Sequence, residues 1–214
     1  MKSRLSARYV YVLALSAVFL SCKKSDDDEP GPPDFSPMTA GSTWTYQPSQ
    51  GAAYTLTATN RDTLIGSRNY RVISSTTGMN QYWAKNVNEY YKFGVVPGTT
   101  GSGIEELYLK DNQPVNTIWQ SNQVFNVPGV PIPIVATLKY TIKGTGLSRT
   151  VNSVTYDNVI QVRLDVSVAT LGSLGGGDAW YASGVGMIEN NLQLAYGTTQ
   201  IANSAEILTA YHIQ

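Results

Sequence analysis

The chain has 214 residues, and its 15 basic and 15 acidic side chains make it electrically neutral at pH 7. Charged residues are only 14% of the sequence, against about 25% in an average globular protein. A chain without a basic excess offers no electrostatic footprint for nucleic acid, so we expect no nucleic-acid partner.

Residues 1–21 are organised as a signal peptide. Lys2, Arg4 and Arg8 give a positive start, residues 10–20 are mostly apolar, and the small Ser21 follows. An apolar run of this length is too short to be a stop-transfer helix. We therefore expect the protein to be exported.

The end of this segment, Leu20-Ser21-Cys22, resembles the lipobox of bacterial lipoproteins. The resemblance implies cleavage before Cys22 and attachment of fatty acyl groups such as palmitate. Two or three acyl chains suffice for stable anchoring, since each buried methylene contributes about 0.8 kcal/mol. The alternative is an ordinary signal peptide followed by a chance cysteine. We expect lipidation of Cys22 and anchoring in the outer membrane.

Residues 22–37 are predicted to be a flexible tether. They contain four prolines and almost nothing apolar, a composition that favours an extended, disordered chain. The run Ser25-Asp26-Asp27-Asp28-Glu29 resembles the surface-export signal of certain gram-negative lipoproteins, in which a serine and three acids follow the cysteine. That resemblance implies a protein facing the cell exterior. The alternative is a merely solvated spacer.

Residues 38–214 are predicted to form a single β-rich domain. Gly, Thr, Ser, Asn, Val and Tyr are abundant, which favours strands and turns, and no window shows helical periodicity. Strand signals recur between turn residues at 43–46, 54–59, 62–65, 69–74, 81–84, 89–93, 104–110, 134–143, 147–156, 159–170, 180–183, 187–196 and 206–213. The expected fold is all-β: an antiparallel meander forming a curved half-barrel or a two-layer sandwich.

The two ends of this domain carry a second resemblance. Residues 41–46 read G-S-T-W-T-Y, and residues 180–188 read W-Y-A-S-G-V-G-M-I. They resemble uncharacterised β-rich bacterial lipoproteins that open on a G-x-x-W-x-Y strand and close on a W-x-A-x-G-V-G-x-I hairpin. The resemblance implies a fold and no chemistry.

Two glycine-rich stretches, at 98–103 and 172–177, lie between strand signals. Neither opens a helix nor carries a following lysine, so a phosphate-binding loop is not favoured. We predict flexible loops, which could form the rim of a site.

Aromatic side chains are the first candidate binding feature. Sugar rings stack on exposed aromatic faces, and Trp83, Trp180 and Tyr181 lie in doublets, Tyr82-Trp83 and Trp180-Tyr181. Neighbours on a strand point to opposite faces, so one ring of each doublet should point outward or across a second layer. The alternative is that these rings fill the core.

Residues 127–135, V-P-G-V-P-I-P-I-V, are the second candidate. Three prolines remove three backbone donors, so this segment cannot be a central strand. Val130 and Ile132 are predicted to form a hydrophobic lip over a lipophilic ligand, or a strand that docks a partner. The alternative is an edge segment packed over the core.

Catalytic and metal-binding groups are scarce. The chain has one histidine and one cysteine, too few for the usual ligand set of zinc, and it lacks G-x-S-x-G, H-E-x-x-H and P-loop motifs. The adjacent Glu105 and Glu106 should point to opposite faces of a strand and cannot share one site. We therefore expect no enzymatic activity, no bound metal and no cofactor.

These features predict a lipid-anchored, surface-exposed lipoprotein of the outer membrane that binds a glycan or a lipophilic ligand without catalysis. The alternative is a structural or accessory subunit of a surface protein complex, docking through a sheet edge.

Overall fold

The computed structural model describes residues 33–94, 103–126 and 133–214. They belong to one compact unit, Pro33–Gln214, whose described regular elements are strands. In these ranges no helix is long and apolar enough to cross a membrane. The described strand pairs and buried clusters lie within the unit. We therefore expect residues 33–214 to fold on their own.

The described ranges contain twelve strands. They are β1 (Thr43–Pro48), β2 (Tyr54–Ile65), β3 (Arg68–Ser75), β4 (Gln81–Asn86), β5 (Glu89–Gly94), β6 (Ile104–Lys110), β7 (Ile118–Phe125), β8 (Ile134–Val151), β9 (Val154–Val168), β10 (Gly172–Ala182), β11 (Gly186–Tyr196) and β12 (Thr199–His212).

The strands form one antiparallel sheet in the order β6-β5-β4-β3-β2-β1-β12-β11-β10-β9-β8-β7. Strands that are consecutive in the chain are paired, except β6 and β7, which lie at the two ends of the order. The first and last strands, β1 and β12, are also paired, for example Thr43 with His212. The sheet therefore curls into a nearly closed, barrel-like shape. The predicted all-β antiparallel meander is confirmed, and of its two predicted forms the curved one is found.

Side chains bridge the seam between β6 and β7, the two strands at the ends of the sheet order. The indole Nε1 of Trp119 donates a hydrogen bond to the carbonyl of Leu107 at 2.7 Å. The amide Nε2 of Gln123 donates to the carbonyl of Glu105 at 2.9 Å. These bonds occupy backbone acceptors that an edge strand would otherwise leave free.

The folded unit begins before residue 38, which was the start predicted from the sequence. Phe35 is only 2% exposed, and its backbone N–H donates to the hydroxyl of Tyr90 at 3.3 Å. The backbone N–H of Gly184 donates to the carbonyl of Asp34 at 2.7 Å. The last residues assigned to the tether thus pack against the sheet.

The β8–β9 hairpin is longer than predicted and bends over its neighbours. Its register shifts between Ile142 and Gly144 and again around Leu147, and such bulges bend a strand pair. At its tip the amide of Asn152 donates to the carbonyl of Thr209 on β12 at 3.3 Å. The tip therefore packs against β12.

The prediction of a flexible loop at 172–177 is wrong. These residues open β10, which pairs with β9 on one side and with β11 on the other. A Cβ atom at Gly176 would overlap the carbonyl of Leu164, and one at Gly177 would overlap the backbone of Leu192. The glycines allow a close approach of three strands. Of the other stretch, 98–103, only Gly103 belongs to the described residues.

Candidate functional site

The inner face of the curled sheet encloses a cavity of about 220 Å³. Strands from both halves of the meander contribute to it, because β5 and β6 lie across from β8–β12. Its wall combines charged, phenolic and apolar side chains. Its charged and phenolic lining residues are Lys92, Glu106, Tyr108, Tyr140, Tyr181 and Glu206.

Two further cavities adjoin it. One of about 80 Å³ shares Lys92, Tyr181 and Glu206 with the first cavity. The other is a wider opening of about 690 Å³, which shares Lys92 and Glu106 with the first cavity. We call the first two the inner site and the third the mouth; the apolar side chains of the mouth are Met79, Tyr82, Phe93 and Ile104.

Lys92 borders all three cavities. Strand register places it there, since Trp83 on β4 is paired with Lys92 on β5, and Lys92 with Glu106 on β6. Paired residues of antiparallel strands point to the same face with their Cβ atoms about 4.5–5.5 Å apart. The curl of the sheet brings Glu206 of β12 toward this row, close enough for its charge to act on Lys92.

The ammonium of Lys92 lies over aromatic rings. Its Nζ is 4.6 Å from the ring centroid of Tyr108 and 5.6 Å from that of Trp83, within the range of cation–π attraction. Among the described residues it forms no salt bridge. Burial lowers the pKa of Lys92, while the negative charges of Glu106 and Glu206 act in the opposite direction.

Each inner carboxylate accepts a hydrogen bond from a phenol. The hydroxyl of Tyr54 donates to Glu206 at 2.6 Å, and that of Tyr140 donates to Glu106 at 2.7 Å. Burial, together with the adjacent carboxylate, raises the pKa of both tyrosines, so both remain protonated donors.

Glu206 is itself half-buried. Burial raises the pKa of its carboxyl, while the hydrogen bond from Tyr54 and the charge of Lys92 act against that rise. The inner site thus holds one amine, two carboxyls and several ring faces in a partly enclosed space. Such a set can bind a polar group and orient it. In the ranges that the structure describes, no group of three or more His, Cys, Asp or Glu could hold a metal ion.

Two of the predicted aromatic site residues meet at the inner site. Trp83 and Tyr181 both line the smaller inner cavity, although they are only 6% and 5% exposed. The indole of Trp83 packs against Trp44 with ring centroids 5.3 Å apart. These rings present little surface from outside, and they can contact only a ligand that enters the sheet.

Trp180 lies on the other face of β10. It is 6% exposed, and the guanidinium of Arg149, near the tip of the β8–β9 hairpin, lies 3.6 Å from its ring centroid. The prediction that Trp180 and Tyr181 point to opposite faces is confirmed. Since the hairpin covers Trp180, this ring does not belong to the inner site.

The remaining predicted site residues lie outside the described residues. They are Val130 and Ile132 of the lip, Cys22, and the export residues Ser25, Asp26, Asp27, Asp28 and Glu29.

The sequence did not single out Lys92, Glu206, Tyr54 or Tyr140. One signal was available: Lys92 interrupts the aromatic strand Y-Y-K-F, where an inward lysine is unusual. The opposite orientation of the two adjacent glutamates was predicted and is confirmed. Glu105 forms a salt bridge with Arg68, whereas Glu106 lines the cavity.

Comparisons with known proteins identify the fold alone. No protein-family model matches the chain, and no curated protein is significantly similar in sequence. The structure resembles that of a predicted lipoprotein from Parabacteroides distasonis, with a TM-score of 0.52 and 14% identity over 84% of this chain and 99% of that one. A predicted exported protein from Bacteroides fragilis, with a YmcC-like fold, gives a TM-score of 0.40 and 8% identity over 85% of this chain and 100% of that one.

Proposed function

We propose that the protein is a lipid-anchored lipoprotein of the outer membrane, facing the cell exterior, that binds a small lipophilic ligand inside its barrel-like sheet without catalysis. The cavity system around Lys92 carries the binding part of the proposal. The mouth, at about 690 Å³, lies in the range of roughly 300–1,000 Å³ typical of small-ligand sites.

The geometry favours a lipophilic ligand over a surface-bound glycan. A glycan platform needs exposed ring faces, but Trp83 and Trp180 are each only 6% exposed. The mouth, in contrast, presents exposed apolar groups, among them Met79 at 68% exposure. A ligand that enters there would leave water for an apolar wall, which is favourable at about 25 cal/mol per Å².

Residues 33–214, exported with a cleavable signal peptide that lacks a lipobox and purified without detergent, should retain a bound molecule. Native mass spectrometry is expected to show a species heavier than the calculated chain mass, which denaturation removes. Ser204 lines the inner cavity and is exposed, so Ser204→Trp should fill the space and abolish the heavier species.

Asn203→Trp is the matched control, because Asn203 is also exposed and its side chain points to the opposite face of β12. That variant should keep the bound molecule. A clean chain mass for the wild type in both native and lipid-supplemented preparations would count against ligand carriage and favour the accessory-subunit alternative.

The anchoring part of the proposal rests on Leu20-Ser21-Cys22, and metabolic labelling tests it. Cells fed an alkyne analogue of palmitate should label the wild-type protein, and Cys22→Ser should remove the label because the thiol is the acceptor. Ser21→Ala keeps a small residue before the cysteine and should stay labelled. Retention of the label in Cys22→Ser would refute the lipobox interpretation.

Protease treatment of intact cells tests the orientation. The wild-type protein should be digested, and a variant with Asp26, Asp27 and Asp28 replaced by alanine should be protected if the acidic run directs export. Full protection of the wild type in cells whose envelope is intact would contradict exposure on the cell surface.

A further inference from the structure

We infer that the ligand is an amphiphile with one anionic headgroup, such as a long-chain carboxylate, that pairs with Lys92 while its apolar body lies in the mouth. The inference rests on the proposed ligand-binding function and adds the chemical class of the ligand. It follows from the donors, the charges and the apolar surface around one side chain.

The ammonium of Lys92 has hydrogen-bond donors that no carboxylate in the described ranges occupies. Among the described residues it has no carboxylate within salt-bridge distance, and it lies over the rings of Tyr108 and Trp83. Lys92 is half-buried, so its ammonium faces the accessible space of the cavities and not an acceptor from the part of the chain that the structure describes. An anionic oxygen at this position would supply charge-assisted hydrogen bonds, which are roughly twice as strong as neutral ones.

The two nearby carboxyls are already engaged. Glu106 accepts from Tyr140 and Glu206 accepts from Tyr54, so neither is held by Lys92. Burial favours the protonated form of Glu206 by raising its pKa. Since each carboxyl already has a phenol as its donor, the donors of Lys92 remain available to an anionic headgroup.

A cationic headgroup fits less well. The ring faces of Tyr108 and Trp83 that would attract a cation already have the ammonium of Lys92 over them. A second cation in this partly enclosed space would meet a like charge, and the repulsion is only weakly screened away from water. The site therefore selects against amines.

The apolar body has a continuous path. Lys92 and Glu106 border both the inner cavity and the mouth, so a headgroup at Lys92 leaves the rest of the molecule facing the mouth. Ile104 lies two residues before Glu106 on β6 and therefore points to the same face of the strand, and Met79 extends the apolar wall of the mouth. A linear alkyl chain can lie along these side chains, whereas a branched polar glycan would leave hydroxyls unpaired against them.

Isothermal titration of residues 33–214 tests the inference, with dodecanoate and dodecylammonium below their micelle concentrations and dodecan-1-ol below its solubility limit. Dodecanoate is expected to bind at least tenfold more tightly than the alcohol, which corresponds to about 1.4 kcal/mol, and the amine most weakly. Lys92→Met should abolish the preference for dodecanoate while binding of the alcohol persists.

Two conservative variants complete the test. Lys92→Arg keeps the positive charge and should keep the preference. Glu106→Gln removes a negative charge but leaves an oxygen for Tyr140, so dodecanoate should bind more tightly. This variant carries the test if Lys92→Met does not fold, which near-ultraviolet circular dichroism will show.

The outcomes separate the two proposals. If none of the three probes binds the wild type, the proposed lipophilic-ligand function fails. If the three bind with equal affinity, or if Lys92→Met retains the preference, ligand binding stands and the inference about the headgroup is overturned. An unchanged dodecanoate affinity in Glu106→Gln also contradicts it.

Discussion

Trp180→Ala is expected to lower the free energy of unfolding of residues 33–214 by about 3–5 kcal/mol, the usual cost of removing a buried tryptophan side chain. The indole is 6% exposed, beneath the guanidinium of Arg149. Arg149 is held in turn by Glu189, to which it donates through Nη2 at 2.7 Å. The substitution leaves a cavity under the hairpin tip and removes its cation–π contact.

Urea denaturation followed by far-ultraviolet circular dichroism measures this loss. Tyr196→Ala is the matched control, because Tyr196 is an aromatic residue of the next strand that is 52% exposed. It should change stability by no more than about 0.5 kcal/mol. A loss below 1 kcal/mol for Trp180→Ala would mean that the hairpin does not pack on this ring.

This result bears on function as well. A loss of glycan binding in Trp180→Ala would not distinguish a contact from a collapsed hairpin, since the side chain supports the fold. Variants at Lys92 or Ser204 change the wall of the cavity with less effect on the core. They are therefore the better probes of ligand binding.

Much of the fold could be predicted because its signals are local. Alternation of side chains along segments such as 54–59 and 104–110 reports a half-buried strand, whatever its partner. The strand lengths in the β8–β9 hairpin could not be predicted. Gly144 and Gly146 look like turn residues, but in the structure they lie at or near bulges within one continuous strand.

The inner site could not be predicted because its parts are distant in the sequence. Lys92, Glu106 and Glu206 lie on β5, β6 and β12, and only the register of the sheet and its curl bring them together. The rule that neighbours on a strand face opposite sides correctly placed Trp180 outward from Tyr181. This rule could not show that the β8–β9 hairpin would cover the ring of Trp180.

The glycine run of β10 misled the prediction for a definable reason. Glycine is common in flexible loops, but in a strand it also marks a close approach of another backbone. The sequence does not separate the two cases, because the neighbour that comes close is on another strand. Here the neighbours are Leu164 on β9 and Leu192 on β11, both of which also line the inner cavity.

Gly177→Ala is accordingly expected to cost about 3 kcal/mol of unfolding free energy, at the upper end of ordinary overpacking. The added Cβ would overlap backbone atoms of Leu192 and Asn191, and a backbone cannot avoid the overlap by changing rotamer. The strands β10 and β11 must separate, which breaks ladder hydrogen bonds and shifts the wall of the inner site. Ligand binding should weaken together with stability.

Gly94→Ala is the matched control for this substitution. Gly94 is also a strand residue, but a Cβ built there meets nothing within 4 Å, and its backbone is not in the left-handed region. It should be neutral, or stabilising by about 0.4–1 kcal/mol through a less flexible unfolded chain. Equal urea midpoints for Gly177→Ala and Gly94→Ala would show that β10 does not lie tightly between its neighbours, which would contradict the placement of Gly177 and Leu192 in the wall of the inner cavity.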